Sequence, residues 1–127
     1  MVKFVVTEQH FYWWPVKVRR PKADPRQAGH FDVFEFKAQF EDIDTDEAEA
    51  IIAEVNELPV RERAARQHDL LLRVVKDWDQ DVIDADKNPI PFDGEIFREL
   101  LKKGWFAAAM WRAWGEAQRG EGGRKGN

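Results

Sequence analysis

The chain has 127 residues, 43% hydrophobic, 13% aromatic and 35% charged, which is apolar area enough to offset chain entropy within one domain and argues against general disorder. Its lack of cysteine excludes disulfides, thiolate nucleophiles and cysteine-ligated zinc, and its formal charge of −4 argues against a nucleic-acid binder, whose phosphate-facing surface is basic. No apolar run approaches the roughly 20 residues of a bilayer span, and Met1 to Phe4 lacks the core of a secretory leader, so the expectation is a soluble protein of a reducing cytoplasm.

Lys3 to Val6 is a possible first strand. From Phe11 to Arg20, Trp14, Val16 and Val18 alternate with Pro15, Lys17 and Arg19, the period of a strand with one covered face. Pro15 has no N–H to donate, which predicts a sheet edge or an outward-facing position. Phe34, Phe36, Ala38 and Phe40 continue the pattern, while Phe31 and Val33 fall in the opposite phase and suggest a bulge near Val33. Residues 21–29 are rich in turn formers and too long for a tight turn, so the reading is a hairpin over about 10–40 with a long, mobile arm.

Asp44 followed by Glu47 resembles a helix cap with a returning carboxylate, and Ala48, Ile51, Ile52 and Val55 mark the buried stripe of a helix over about 44–58. Pro59 breaks it at Leu58. A second helix over about 59–78 follows from Val60, Ala64, Leu71, Leu72 and Val75, with Glu62–Arg66 and Asp69–Arg73 as ion pairs on its exposed face. Residues 79–92 read as an ordered loop pinned by Ile90 and Phe92. Asp93 caps a helix over about 93–103, and another runs over about 105–118. The Gly-rich, charged stretch 119–127 has nothing to bury and is expected to be a disordered tail. The predicted fold is therefore α+β: one domain over 1–118, with a small antiparallel sheet packed against four to five helices.

Asp84, Asp86, Asn88 and Glu95 match four ligand positions of a calcium-binding EF-hand loop, but Pro89 stands where that loop needs glycine. A solvated turn before a capped helix is the better reading. Asp77, Asp79 and Asp81 alternate at a helix end and share no face. His10, His30 and His68 lack the spacing that offers two imidazoles to one metal. His10 and His30 could meet across the hairpin, and His68 falls on a buried helical stripe. The clusters Arg19, Arg20, Lys22 and Arg61, Arg63, Arg66 read as solvated faces. No nucleophile elbow, phosphate-cradling loop or paired carboxylates appear, so no catalytic residue, metal or cofactor is assigned.

The six tryptophans are the informative oddity. Trp13 and Trp14 must point to opposite faces of a strand. Trp111 and Trp114 share a helix face, with Trp105 nearby. Core packing on the sheet is the simpler role for that face, and a partner-binding or self-association surface the functional one. Trp13, Trp105, Trp111 and Trp114 are the candidate contact residues.

The order of pieces, a Trp-Trp-Pro-Val strand (13–16), an acidic helix, a Leu-Pro-Val-Arg-Glu turn (58–62) into a long helix, then Trp78-Asp79 ahead of Asp-Lys-Asn-Pro-Ile-Pro-Phe (86–92) and a helix pair, resembles the small tail assembly chaperones of long-tailed bacteriophages and prophages. The resemblance runs over most of residues 1–118 and is strongest from Trp78 to Leu101. It implies a non-catalytic helper in the bacterial host cytoplasm that coats the tape-measure protein, recruits the major tail protein and is absent from the mature virion. It also implies self-association and, in many members, a frameshifted extended form, and it supplies no catalytic residues. Other readings are a phage structural or connector protein that stays in the particle, a small calcium-dependent or enzymatic regulator using the acidic loop 77–95, and a host-targeting inhibitor with an acidic surface.

Overall fold

Alternating apolar residues make two long strands, β1 (Phe11–Pro21) and β2 (Phe31–Glu41), in the computed structural model, which describes residues 2–120. They pair antiparallel without interruption from Phe11↔Glu41 to Pro21↔Phe31. After β2 come helices α1 (Thr45–Glu57) and α2 (Val60–Val74), strand β3 (Val75–Trp78), and helices α3 (Gly94–Leu101) and α4 (Gly104–Gln118). The sheet order is β1-β2-β3, all antiparallel. The α+β architecture read from the sequence is thus observed.

Alternation sends Val16 and Val18 of β1 and Phe36, Ala38 and Phe40 of β2 to one face, where all five are buried. They join Leu70, Leu71, Phe97, Met110 and Trp114 in one apolar cluster. No polar or charged residue is buried among the described residues, as expected where a core offers few partners for one. Phe36 stacks on Phe106 at 6.1 Å, and Trp78 lies against Phe92 and Phe97 at 4.9 and 6.3 Å.

The connection between β1 and β2 is folded rather than open. Asp24 accepts from the backbone N–H of Arg26 at 2.9 Å and caps a single 3-10 turn, Pro25–Gln27. That bond and the Arg26 side chain hold the Asp24 carboxyl below its usual range. Gly29 completes the reversal with φ 89°, in the left-handed region that glycine adopts without strain.

Several sequence expectations give way here. Lys3 to Val6 forms no strand and is exposed. No bulge interrupts β1·β2 at Val33, and the register shift seen among the described residues lies between Gln39 and Phe40 on the β3 side. The second helix stops at Val74 instead of Trp78, because the β-branched pair Val74-Val75 leads into β3 and the open edge of β2 takes up the backbone: Asp79 N–H donates to Lys37 O at 3.0 Å. Asp44 occupies the cap position of α1 but makes no side-chain cap bond. Glu47 reaches across to Arg73 (2.6 Å) and Glu54 to Arg66 (2.9 Å), so the predicted Glu62–Arg66 and Asp69–Arg73 pairs are replaced by bridges between α1 and α2. The Arg73 hydrogen bond lowers the Glu47 carboxyl below its usual range.

Other expectations hold. Pro59 separates α1 from α2, and Asp93 caps α3 by accepting from the N–H groups of Glu95 and Ile96 at 2.8 and 3.2 Å. The loop after β3 is pinned as expected: Trp78 Nε1 donates to Ile90 O at 2.6 Å, and Phe92 packs on the Trp78 ring. Of the predicted tail 119–127, residues 121–127 lie outside the described residues.

Candidate functional site

The face of the sheet turned away from the helices carries Phe11, Trp13, Pro15, Lys17 and Arg19 from β1 and Phe31, Val33, Glu35, Lys37 and Gln39 from β2. Trp13 is 45% exposed and Val33 64%, with Phe11 and Phe31 close behind. They form two apolar pairs at opposite ends of the hairpin, Phe11 with Trp13 and Phe31 with Val33, separated by Pro15, Lys17, Glu35 and Lys37; large apolar side chains left on a solvent-facing sheet are more informative than scattered exposure. The cations are set among them: the Arg19 guanidinium lies 4.3 Å from the Phe31 ring centroid, and Lys17 stands opposite Glu35. At the hairpin tip Arg20 covers Phe34 at 4.7 Å and approaches Trp105 at 5.9 Å. Lys17, Arg19 and Lys37 thus share the face with the carboxylates of Glu35 and Glu41, the latter opposite Phe11, in a chain whose formal charge is −4.

Of the four tryptophans singled out from the sequence, Trp13 alone is exposed. Trp114 is fully buried, which corrects its assignment as a contact residue: α4 lies along β1, and its inward face takes the ring. Trp111 is half-buried, 5.2 Å from the Trp114 ring, and lines an open groove of about 460 Å³ with Ile52, Gln67, Ala108 and Arg112. Trp105 is half-buried at the start of α4. The four therefore do not form one surface. Phe11, Phe31 and Val33 belong to the exposed face and were not singled out, although the phase reversal at Phe31 and Val33 was their signal.

The alternative sites do not assemble. Asp84 Oδ1 accepts from the N–H groups of Asp86 and Asn88 at 2.8 and 3.0 Å, closing a tight turn in which Lys87 takes φ 68°. The carboxylate is spent on its own loop, and Glu95 sits in the first turn of α3. Among the described residues no three His, Asp or Glu side chains gather as metal ligands. His10 stands at one end of the hairpin beside Asp42 and His30 at the other beside Lys22, so they do not face one another. His68, expected in the core, is half-buried in a shallow groove with Leu72, Arg98 and Leu101. The buried stripe of α2 runs instead through Leu70, Leu71 and Val74.

Tyr12 stacks on Phe40 at 5.6 Å where α4 ends against β1. Its hydroxyl is sealed from solvent beside Gln118 without reaching hydrogen-bond geometry to it. Burial is the main reason that the phenol is raised from 10.0 to about 12, a net rise that the nearby Gln118 side chain moderates and the Asp42 carboxylate adds to. A folded value above the unfolded one means that this group's contribution to stability is complete below pH 10 and is lost as pH climbs from 10 toward 12. Tyr12 is the single tyrosine of the chain, so tyrosinate absorbance reports it alone. The expected result is a titration midpoint well above that of a free phenol, together with an alkaline loss of stability that Tyr12→Phe flattens. A midpoint near 10 would contradict the burial.

No helix among the described residues is long and apolar enough to cross a membrane. Comparison with known protein families, characterised proteins and solved structures finds no match to the chain.

Proposed function

We propose that the protein is a non-catalytic binding protein, and specifically a phage tail assembly chaperone that holds the tape-measure protein and recruits major tail subunits in the host cytoplasm. The observation that carries the binding role is the pair of solvent-facing apolar patches on the uncovered sheet face, Phe11 with Trp13 at one end of the hairpin and Phe31 with Val33 at the other. Two such patches suit an elongated partner that reaches along the hairpin, and Lys17, Arg19 and Lys37 between them favour one that carries acidic residues there. The more specific assignment rests on the sequence resemblance from Trp78 to Leu101.

Co-expression of a tagged copy with the tape-measure protein from the same source tests it. Stoichiometric co-elution with a rise in soluble tape-measure protein is the expected result. A tape-measure protein that aggregates equally with and without this chain, and never co-elutes, rejects the chaperone role. Detection of the protein in purified virions would favour a structural role in the particle instead.

A further inference from the structure

Two features of the chain are left without a partner in the monomer: the open edge of β1 and the segment before it. In that segment Val2, Phe4, Val5 and Val6 are 90%, 89%, 74% and 82% exposed, although valine and phenylalanine are strand formers. β1 pairs only with β2. Lys22 N–H donates to His30 O and Asp42 N–H to His10 O, so even-numbered positions of β1 bond to β2 and odd-numbered ones face the open edge. Pro15 belongs to the odd set, and its missing donor faces outward, as the sequence required. Edge donors thus remain at Phe11, Trp13, Lys17 and Arg19, and Pro15 interrupts that row, setting Phe11 and Trp13 apart on its N-terminal side.

We infer that residues 3–9 of a second copy add to this edge as an antiparallel strand, giving a two-fold dimer with Gln9 against Gln9 at the axis. In that register Thr7 pairs with Phe11, Val5 with Trp13, and Lys3 meets Pro15, where the lost N–H costs least because the ladder ends. Phe4 and Val6 fall opposite Trp14 and Tyr12 on the core side of the sheet, and Glu8 falls opposite His10, an acid against a base. Neighbouring registers fail. A slip by one residue mismatches the N–H groups and turns Phe4 and Val6 to solvent. Moving the axis to residue 8 sets Glu8 against Glu8, and moving it to residue 10 puts Val5 against Pro15. The occupant is a second copy rather than the same chain, since folding back onto its own β1 would need a tight turn at Thr7-Glu8-Gln9-His10, which contains no Gly, Pro or Asn. So short an interface belongs to the weak, micromolar class.

Two measurements on the full chain test this. Sedimentation velocity from low to high micromolar concentration is expected to show a monomer–dimer equilibrium that Val5→Pro weakens at least tenfold, with circular dichroism and melting temperature unchanged at dilutions where the parent is monomeric, because residue 5 is exposed and outside the core. Since the chain contains no cysteine, Gln9→Cys should form a covalent dimer under mild oxidation. Lys3→Cys, roughly 40 Å from its symmetry mate at 3.3 Å per residue, should not. A chain that stays monomeric throughout, a dimer indifferent to Val5→Pro, no cross-link at position 9, or equal cross-linking at positions 3 and 9 overturns the inference.

Discussion

Trp114→Ala is expected to destabilise the protein by about 3–5 kcal/mol, the cost of emptying a fully buried aromatic site, out of a total that for small domains is about 5–15 kcal/mol. The ring is fully buried on α4, against Trp111. Trp114→Phe should behave very differently. The indole Nε1 is buried with no hydrogen-bond partner among the described residues, and an unsatisfied buried donor costs about 1–3 kcal/mol. Removing it offsets much of the area lost, so Trp114→Phe should stay within about 1 kcal/mol of the parent. Trp78 supplies the contrast, because its Nε1 donates to Ile90 O at 2.6 Å. Trp78→Phe gives up that bond, strands a carbonyl and loosens the 79–92 loop, so it should cost more than Trp114→Phe. Chemical denaturation of the three variants, compared at constant m-value, decides the matter. A Trp114→Phe protein as unstable as Trp114→Ala would show that the indole N–H is satisfied.

The second large effect is on binding. Trp13→Glu should weaken capture of the tape-measure protein by at least about 30-fold, equivalent to about 2 kcal/mol, the loss typical of an aromatic hot spot. The fold should survive, because the side chain is 45% exposed on the uncovered face of an edge strand. Val33→Glu, farther along that face, tests whether the partner spans the hairpin. Val60→Glu is the control: Val60 is also apolar and 77% exposed, but it is the first residue of α2 and no part of the sheet. Calorimetric titration that finds Trp13→Glu no weaker than Val60→Glu would move the binding site elsewhere, with the Trp111 groove next in line.

What could be read from the sequence was what obeys local rules. The alternation in β1 and β2, the break at Pro59 and the cap at Asp93 each depend on neighbours within a few residues, and each stands where expected. β3 could not be read this way, because Leu70 to Trp78 is apolar enough for either element and only the waiting edge of β2 makes Val75–Trp78 a strand. The ion pairs failed for a related reason. Spacing sees Glu62 and Arg66 on one helix, whereas the fold brings Glu54 and Glu47 of α1 closer to the arginines. The candidate site was legible in half. Trp13 followed from the Trp-Trp pair, but Phe31 and Val33 were read as a bulge because solvent-facing apolar residues violate the pattern by which a sheet face is recognised, and it is on that violation that the proposed binding face rests.

The placement of β3 also orders the assembly of the chain. The β1·β2 hairpin closes over a nine-residue connection, 22–30, and α1 meets α2 across Leu58 and Pro59, so both units can gather from near neighbours. The seam Ala38↔Trp78 instead joins residues on either side of the whole α1–α2 unit. The entropy cost of closing a flexible loop grows with the logarithm of its length, and forming the two helices shortens the stretch that must be closed. The helical hairpin therefore acts as a spacer between two strands of one sheet, and this seam is the non-local pairing that weighs against the speed of an otherwise locally connected fold.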